Sequence, residues 1–319
     1  MGLRECPHFY GLRLVKLAME TVSYGGWQCA RLVSGKAELL VTLDVGPRVI
    51  RLGIIGGSNE LHESDKDRGK KGGEEYRSYG GHRLWIAPEH PVRTLQPENE
   101  PVEHETEADW HIFRSKPDRF GIQKEIRITA PGDEGFLLEH RIYNTGVYAV
   151  ELAPWALTVM AAGGECVFPH ASHQAHSENF LPVRPLVLWS YTDMADPRWT
   201  WGSQVVRLRQ DRERGPQKVG AFVGQGYACY ANHGNTFVKR FDADPGADYT
   251  DFGCNFETFT RQDMLEVESL GPMQVVDAGA YAVLNEGWRL FPGTTPPQSD
   301  EACAKWLEGL AHECPAVLL

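Results

Sequence analysis

The 319-residue sequence lacks the long apolar stretches that a signal peptide or a membrane span requires. Runs of basic residues are also scarce, because no cluster of Lys and Arg exceeds a pair such as Lys70 and Lys71. The net charge of -11 would repel a polyanion. These absences predict a soluble cytoplasmic protein that binds neither membranes nor nucleic acids.

Cysteine is present, but not in a pattern that builds a disulfide framework or a zinc site. The seven cysteines are an odd number, and no two of them have CxxC spacing. This usage is typical of reduced, buried thiols in a cytosolic protein. The GxSxG, Walker, HExxH and Rossmann patterns are missing as well. We therefore predict no nucleotide, no cofactor and no metal.

Short alternating or β-branched runs, separated by turn residues, dominate the sequence. The candidate strands are 36–44, 48–55, 121–130, 136–144, 150–161, 186–191, 204–209, 218–224, 227–232, 236–242, 254–260, 264–270 and 281–291. So many strands require at least two packed sheets. Only residues 299–313 have helical spacing, with Ser299 as the N-cap. Because no linker divides the chain, we predict one all-β antiparallel domain over residues 1–319, with a short C-terminal helix and a polar loop at 58–81.

The stretch MLEVESL contains two acids, Glu266 and Glu268, that the alternation of a strand places on one face. Leu265 and Val267 lie on the opposite face, which should contact the core. The acids then face either bulk water or a cleft, and Glu257 in the neighbouring candidate strand joins them. In a cleft, repulsion between like charges would raise the pKa of one carboxyl group and leave a usable base. A solvated strand face is the alternative.

The stretch YGGHRLWIAPE places His82, Arg83 and Trp85 directly after two glycines. Glycine permits unusual backbone angles and close approach, so this segment can direct an imidazole and a guanidinium at a ligand. Arg83 offers forked donors to hydroxyls or a carboxylate, and Trp85 offers a flat apolar face. A surface arginine beside a half-buried tryptophan is the alternative.

The stretch FPHASHQAH contains His170, His173 and His176 at intervals of three residues. Two of the rings could bridge a metal, one could contact a ligand, or the segment could be a polar loop. Pro169 and the scarcity of nearby acidic ligands count against the metal. We therefore assign no metal to these histidines.

Two tryptophans, Trp199 and Trp201, lie in the segment YTDMADPRWTWG, which contains proline and aspartate and should be a loop. Indole rings stack on the apolar faces of sugars, but large all-β proteins also bury tryptophan in their cores. Both interpretations stay open for this pair.

These motifs together resemble the galactose mutarotase-like superfamily. The matching stretches are, in chain order, DVGPRVIRLGI, GGHRLWIAPE, YNTGVYAVELAPWALTV and MLEVESLGP, and the resemblance spans nearly the whole chain. It looks like an uncharacterised branch of that superfamily, a domain of unknown function. The resemblance implies an antiparallel β-supersandwich with a cleft for a small-molecule carbohydrate.

The resemblance also implies roles for individual residues. In aldose 1-epimerases a late glutamate takes the proton of the anomeric hydroxyl, and a central histidine protonates the ring oxygen. Glu268 matches the position of that glutamate, with Glu266 in reserve, and Arg83 matches an arginine that binds sugar hydroxyls. The central histidine is absent, because the corresponding strand reads APWALTV. His82 or His170 is expected to supply the acid instead.

Three functions follow as expectations. The first is an aldose 1-epimerase-like isomerase that moves protons on a sugar. The second is a catalytically silent sugar-binding or regulatory protein that keeps the cleft. The third is a lyase or hydrolase for uronic acids or oligosaccharides, in which Arg83 or Arg48 would bind the carboxylate.

Overall fold

The computed structural model describes residues 14–132, 134–171 and 174–317. The strands found in these ranges are, in chain order, β1 (Met19–Tyr24), β2 (Trp27–Ser34), β3 (Ala37–Thr42), β4 (Val49–Ile54), β5 (His82–Ala87), β6 (Glu103–Glu107), β7 (Trp110–Arg114), β8 (Ile122–Thr129), β9 (Phe136–Asn144), β10 (Val150–Ala161), β11 (Glu165–Pro169), β12 (Leu186–Leu188), β13 (Trp199–Trp201), β14 (Val205–Arg209), β15 (Gln217–Ala221), β16 (Tyr227–Asn232), β17 (Asn235–Phe241), β18 (Phe256–Arg261), β19 (Met264–Leu270), β20 (Gln274–Val276) and β21 (Tyr281–Pro292). The helices are α1 (Thr250–Gly253) and α2 (Asp300–Glu313).

The strands of the described residues form two antiparallel sheets. The first has the order β1-β2-β3-β4-β5-β10-β19-β18-β15-β12, with β20 paired to β10. The second has the order β13-β14-β11-β16-β17-β21-β9-β8-β7-β6. The predicted all-β antiparallel sandwich with a short C-terminal helix is therefore confirmed.

The main apolar core lies between the two sheets. Buried side chains of both sheets, among them Leu39, Phe113, Phe168, Phe237 and Val267, share one cluster. Burial of a side chain of this size stabilises the fold by about 1.5–3 kcal/mol. This core fixes which face of each strand is turned inward.

The register of the first sheet aligns side chains of five adjacent strands on its outer face. One row runs from Arg83 of β5 through Leu157, Glu268 and Glu257 to Gly220 of β15. Residues of a row point to the same side because each strand alternates its side chains. Residues far apart in sequence therefore meet on one surface.

Several local predictions can be compared with the structure. Strand β19 occupies 264–270 as predicted, and α2 begins after Ser299, whose side chain accepts a hydrogen bond from the Ala302 amide. The segment 58–81 lacks regular strands and helices, as expected. The predicted loop at 191–202 was wrong in part, because Trp199–Trp201 pairs with β14 as a short edge strand.

Some elements were not predicted. The edge strand β6 has the sequence EHETE and is largely exposed, so it has no apolar alternation to detect. The short element α1 is a left-handed turn, in which Asp251 and Phe252 have φ angles of 50° and 60°. Neither helix in the described part of the chain has the length and apolar character needed to cross a bilayer.

Candidate functional site

A cleft of about 750 Å³ lies on the outer face of the first sheet. Its floor consists of outward-facing residues of β5, β10, β19, β18 and β15, and the loop 58–81 forms one wall. The lining side chains are mainly aromatic and charged. They include His62, Lys66, Tyr76, Arg83, Trp85, Glu89, Trp155, Leu157, Trp189, Tyr191, Lys218, Phe259, Arg261, Asp263 and Glu266. A polar hollow with flat apolar faces of this kind suits a small polar ligand.

The aromatic part of the floor is held by ring contacts across neighbouring strands. Trp85 of β5 and Trp155 of β10 are directly paired, and their rings meet edge to face with centroids 5.3 Å apart. The guanidinium of Arg83 lies 4.4 Å from the centroid of the Trp85 ring. Packing of this kind fixes the orientation of the side chains before a ligand arrives.

Lys218 lies between two carboxylates and two indole rings. Its Nζ is 2.7 Å from Glu257 Oε2 and 3.2 Å from Glu268 Oε2. The same atom lies 5.0 Å from the Trp155 ring centroid and 4.7 Å from that of Trp189. Burial alone would lower the pKa of Lys218, but attraction to Glu268 and Glu257 raises it above its usual value. Lys218 is therefore a fixed positive charge and not a nucleophile.

The two carboxylates beneath Lys218 are incompletely satisfied. Glu257 and Glu268 are fully buried, and the Trp155 indole donates a 2.9 Å hydrogen bond to Glu268 Oε2. Oε1 of Glu268 and both oxygens of Glu257 have no hydrogen-bond partner among the described residues, although Glu257 Oε2 lies in the salt bridge to Lys218. Burial raises the pKa of Glu257 to about 8, since the attraction of Lys218 only partly opposes it. One lysine is thus shared by two acids, so this buried group contains more acids than cations.

Glu266 is the carboxylate that lines the cleft itself. It is only 6% exposed, and its Oε1 lies 3.4 Å from Nη2 of Arg83. Burial and the neighbouring Glu268 raise the pKa of Glu266 to about 7, while Arg83 opposes this shift. Glu266 can therefore exchange a proton near neutral pH.

His62 is a histidine of the cleft wall whose backbone lies beside strand β10. The His62 amide donates a 2.8 Å hydrogen bond to the carbonyl of Val159, and Val159 pairs with Glu266 across β10 and β19. Burial lowers the pKa of His62, although Asp263, whose Oδ2 is 3.8 Å from His62 Nε2, opposes that shift. A neutral imidazole at pH 7 follows.

The structure brings five of the predicted site residues together. Arg83, Trp85 and Glu266 line the cleft, whereas Glu257 and Glu268 lie buried directly beneath Lys218. Glu266 and Glu268 share one face of β19, as the alternation predicted. The access of the two acids differs, however, because only Glu266 reaches the surface of the cleft.

His82 and Arg48 do not line the cleft. His82 is fully buried on the inner face of β5, where its Nδ1 is 3.0 Å from Thr158 Oγ1 and its Nε2 is 2.7 Å from His140 Nε2. Arg48 is also fully buried and donates to the carbonyls of Ser78 and Gly80. His82, expected to be an acid, and Arg48, expected to bind a carboxylate, therefore lie outside the cleft, because strand alternation and burial direct both side chains away from it.

His170, Trp199 and Trp201 also lie elsewhere. His170 follows β11 of the second sheet and does not line the cleft; burial lowers its pKa. Trp199 is 6% exposed within the main core, and its ring stacks on that of Trp201 with centroids 4.8 Å apart. His170, expected to be an acid, and the tryptophan pair, for which sugar stacking was one interpretation, therefore lie outside the cleft. His173 lies outside the described residues.

One set of side chains in the described ranges has donors close enough together for a metal. It consists of His82, His140 and Glu286, whose donor atoms all lie within 4.8 Å of one another. All three residues are fully buried between the sheets. The 2.7 Å between the two Nε2 atoms is a hydrogen-bond distance, so the histidines also satisfy each other without an ion.

Sequence reasoning missed His62 and Lys218 and did not assign Trp189 to the site. His62 lies in a polar loop that carries no periodic pattern. Lys218 is the second residue of β15, and only the pairing of β15 with β18 reveals that it contacts Glu257. Trp189 follows the short strand β12 and covers Lys218 from the side. The place of each of these three residues in the site depends on contacts between segments that are distant in sequence.

Comparisons with solved structures identify the fold. A galactose mutarotase-like protein from Lactobacillus casei matches with a TM-score of 0.53 and 11% identity, over 86% of this chain and 100% of that chain. A proposed aldose 1-epimerase from Escherichia coli K12 matches with a TM-score of 0.52 and 10% identity, over 86% and 99%. The Slr1438 protein from Synechocystis matches with a TM-score of 0.54 and 12% identity, over 86% and 99%.

No protein-family model and no curated protein matches the sequence. The structural matches establish the galactose mutarotase-like fold that the sequence motifs implied. At these identities the likeness concerns the fold alone, so any function has to be argued from the residues of the cleft.

Proposed function

We propose that the cleft binds a small carbohydrate and that Glu266 and His62 transfer protons on it, in the manner of an aldose 1-epimerase. The volume of about 750 Å³ accommodates a mono- or disaccharide. The cleft combines flat rings with charged hydrogen-bonding groups, which is the chemistry that the C–H faces and hydroxyls of a sugar require. The acid and base would act at the anomeric centre.

The binding role rests on Trp85, Trp155, Trp189 and Arg83. The three indole rings lie around the floor, and Arg83 is held by Glu266 and stacked on Trp85. Preorganised rings and donors reduce the entropy lost when a ligand is bound. A sugar would stack on an indole and direct its hydroxyls at Arg83 and the acids.

The proton-transfer role rests on one observation above all, the buried Glu266 whose pKa is raised to about 7 at the surface of the cleft. A general acid or base is most effective when its pKa lies near the working pH. Glu268, the residue that the resemblance favoured, has one oxygen bonded to Trp155 and lies beneath Lys218. We therefore assign the proton-transfer role to Glu266, which lies on the same face of β19 as Glu268.

His62 would supply the second group that the reaction needs. The anomeric hydroxyl gives its proton to the neutral imidazole of His62 as the bond between C1 and the ring oxygen breaks, and that oxygen takes a proton from the protonated carboxyl group of Glu266. The open-chain aldehyde forms, and closure on its other face reverses both transfers. The mass of the sugar is unchanged. The proximity of both residues to Val159 supports this assignment.

A second candidate is a sugar-binding protein without turnover. It is favoured by the complete burial of Glu268 and by the ion pair that holds Lys218 across both floor acids. This candidate requires the same cleft but no proton transfer.

Polarimetry of freshly dissolved α-D-galactose and α-D-glucose separates the two candidates. Glu266→Gln and His62→Gln should each lower the catalysed rate by about 10²–10⁴-fold, since each removes a positioned proton-transfer group. His104→Gln is the matched control, because His104 lies on β6 of the other sheet. An unchanged rate in Glu266→Gln would contradict the proton-transfer role. Thermal stabilisation by a sugar without any turnover would support the binding protein.

A further inference from the structure

A second pocket, of about 430 Å³, lies outside the cleft at the end of strand β14 in the second sheet. Its lining is mainly basic and includes Arg198, Arg209, Arg212 and Arg214. None of its lining residues also lines the cleft. A concentration of arginines of this kind is unusual in a chain with a net charge of -11. We call it the arginine pocket.

Arg198 is the buried arginine of the arginine pocket, with 3% of its surface exposed. Asp196 fixes its guanidinium by accepting hydrogen bonds from Nε and Nη2, at 3.0 and 2.9 Å. Nη2 also donates a 2.7 Å hydrogen bond to the carbonyl of Gly215. Nη1, by contrast, is buried and has no hydrogen-bond partner within the described ranges. Buried donors are normally satisfied, so this one requires a specific explanation, and an acceptor bound in the pocket would provide it.

Two further arginines, Arg209 and Arg212, have no carboxylate partner in the part of the chain that the structure describes. Nη2 of Arg209 donates a 2.8 Å hydrogen bond to the carbonyl of Pro197, which holds the guanidinium at the pocket. Glu165 lies opposite Arg209 in the pairing of β11 with β14, but its two oxygens bind Arg207 at 3.1 and 2.6 Å. Arg212 is exposed, and its guanidinium forms no hydrogen bond or ion pair with the described residues.

The acids near the arginine pocket leave these two charges unbalanced. Asp196 pairs with Arg198, and Asp211 pairs with Arg214, whose Nε lies 3.4 Å from the Asp211 Oδ2. Glu213 is exposed and does not line the pocket. The lining therefore carries a net positive charge and would attract an anion.

The arrangement of the guanidiniums fits a phosphoryl group better than a carboxylate. Arginine presents planar forks of N–H donors that match the oxygens of either group. A phosphoryl group has three terminal oxygens, so it can accept hydrogen bonds from several guanidiniums that approach from different sides. Here Arg198 precedes β13, Arg209 ends β14 and Arg212 lies in the turn that follows. The volume of about 430 Å³ accommodates a phosphoryl group together with a small organic group.

We propose that the arginine pocket binds a phosphoryl group, presented by a small phosphate monoester or by free phosphate, with Arg198, Arg209 and Arg212 as the donors. The fixed guanidiniums of Arg198 and Arg209 reduce the entropy lost on binding, and the Nη1 of Arg198 gains an acceptor. The inference goes beyond the proposed function and is independent of it, because the pocket and the cleft share no lining residue.

Isothermal titration calorimetry at neutral pH and low ionic strength measures the dissociation constants for inorganic phosphate and glycerol 3-phosphate. The test variant is R209Q/R212Q, which removes the two unbalanced charges. The matched control is K36Q/R119Q, because Lys36 and Arg119 are also exposed, have no carboxylate partner within the described residues and do not line the pocket. Both variants change the net charge equally, so a non-specific effect of charge would be the same in both.

We expect R209Q/R212Q to bind each phosphate compound at least about tenfold more weakly than the wild-type protein, because charge-assisted contacts are lost at two positions. K36Q/R119Q should keep the wild-type affinity within about twofold, since salt screens distant charges. Wild-type affinity in R209Q/R212Q, or an equal loss in the control, would overturn the proposal. A wild-type protein that binds neither compound would also overturn it.

The single variant R212Q replaces R209Q/R212Q if the double variant does not fold, because the Arg212 guanidinium is exposed and forms no hydrogen bond or ion pair with the described residues. It should weaken binding by about threefold, and an unchanged affinity would contradict the proposal. Acetate tests the ligand class, and acetate that binds as tightly as phosphate would overturn the phosphoryl assignment. Tighter binding of glycerol 3-phosphate than of inorganic phosphate supports a monoester, and the reverse supports free phosphate.

Discussion

The two faces of strands β10 and β19 bury charge in different ways. On the inner face Lys239 pairs with Glu286, and every polar atom of the two side chains has a partner. On the outer face one lysine, Lys218, forms salt bridges with both Glu257 and Glu268. Within the described part of the chain, both oxygens of Glu257 and Oε1 of Glu268 have no hydrogen bond. The inner network is balanced, whereas the outer group has spare acceptors and an excess of acids.

This difference indicates which buried polar group serves the fold and which serves a ligand. Buried polar atoms are normally hydrogen-bonded, so those without a partner require a specific explanation. Here they lie beside an open cleft lined by tryptophan and arginine. The outer group is therefore the candidate for ligand binding, and the inner network supports it from behind.

The largest expected loss of stability comes from removing the counter-ion of Lys239 on the inner face. Glu286→Leu leaves Lys239 buried without its counter-ion, which should reduce the free energy of unfolding by about 3–5 kcal/mol. Urea denaturation measures the change. Glu266→Gln is the matched control on the outer face. It should reduce the free energy of unfolding by less than about 1 kcal/mol, because Arg83 contacts Glu266 only at 3.4 Å. Similar losses in the two variants would contradict the distinction between the faces.

The second prediction concerns the pH dependence of stability. Glu266 and Glu257 have pKa values raised from 4.5 to about 7 and about 8. Between pH 4.5 and these values the folded protein binds more protons than the unfolded chain, so their stabilising contribution is full below pH 4.5 and decreases as pH rises. Each group should contribute a slope of about 1.4 kcal/mol per pH unit over much of its window.

Urea denaturation between pH 5 and 8 measures this slope, and Glu266→Gln should make it shallower by the contribution of one group. Lys305→Gln is a control with an exposed charge on helix α2 and should leave the slope unchanged. An equal slope in Glu266→Gln and in the wild-type protein would argue against the raised pKa of Glu266.

A smaller effect, on ligand affinity, is expected when an aromatic residue of the cleft is replaced. Trp189→Ala should weaken the binding of D-galactose by about three- to tenfold, because one stacking surface is lost. Trp201→Ala should leave the affinity unchanged, since Trp201 stacks on Trp199 away from the cleft. Isothermal titration calorimetry measures the affinities of both variants. A larger loss in Trp201→Ala than in Trp189→Ala would place the ligand elsewhere.

The architecture and one part of the site could be predicted from the sequence. Alternation in MLEVESL placed Glu266 and Glu268 on one face, because the apolar side of a strand must face the core. The glycines before His82 and Arg83 indicated a close approach, and the structure places Arg83 at the cleft. The order of the motifs implied the fold.

The remaining parts of the site depend on tertiary pairing. His82 and Arg83 are adjacent, so strand alternation sends one inward and the other outward, and the sequence alone does not state which. Lys218 acquires its role from strands β18 and β19, about 40 to 50 residues later in the chain. His62 reaches the cleft only because its loop docks against β10.

The most direct test of the account is the titration of the Glu266 carboxyl group itself. In protein labelled with ¹³C at the glutamate side-chain carboxyl carbon, the signal absent from Glu266→Gln can be followed by NMR from pH 4 to 9. The account predicts a midpoint near 7. A midpoint below pH 5 would mean that the carboxylate is an ordinary ionised acid at neutral pH, and the proposed proton transfer would be contradicted.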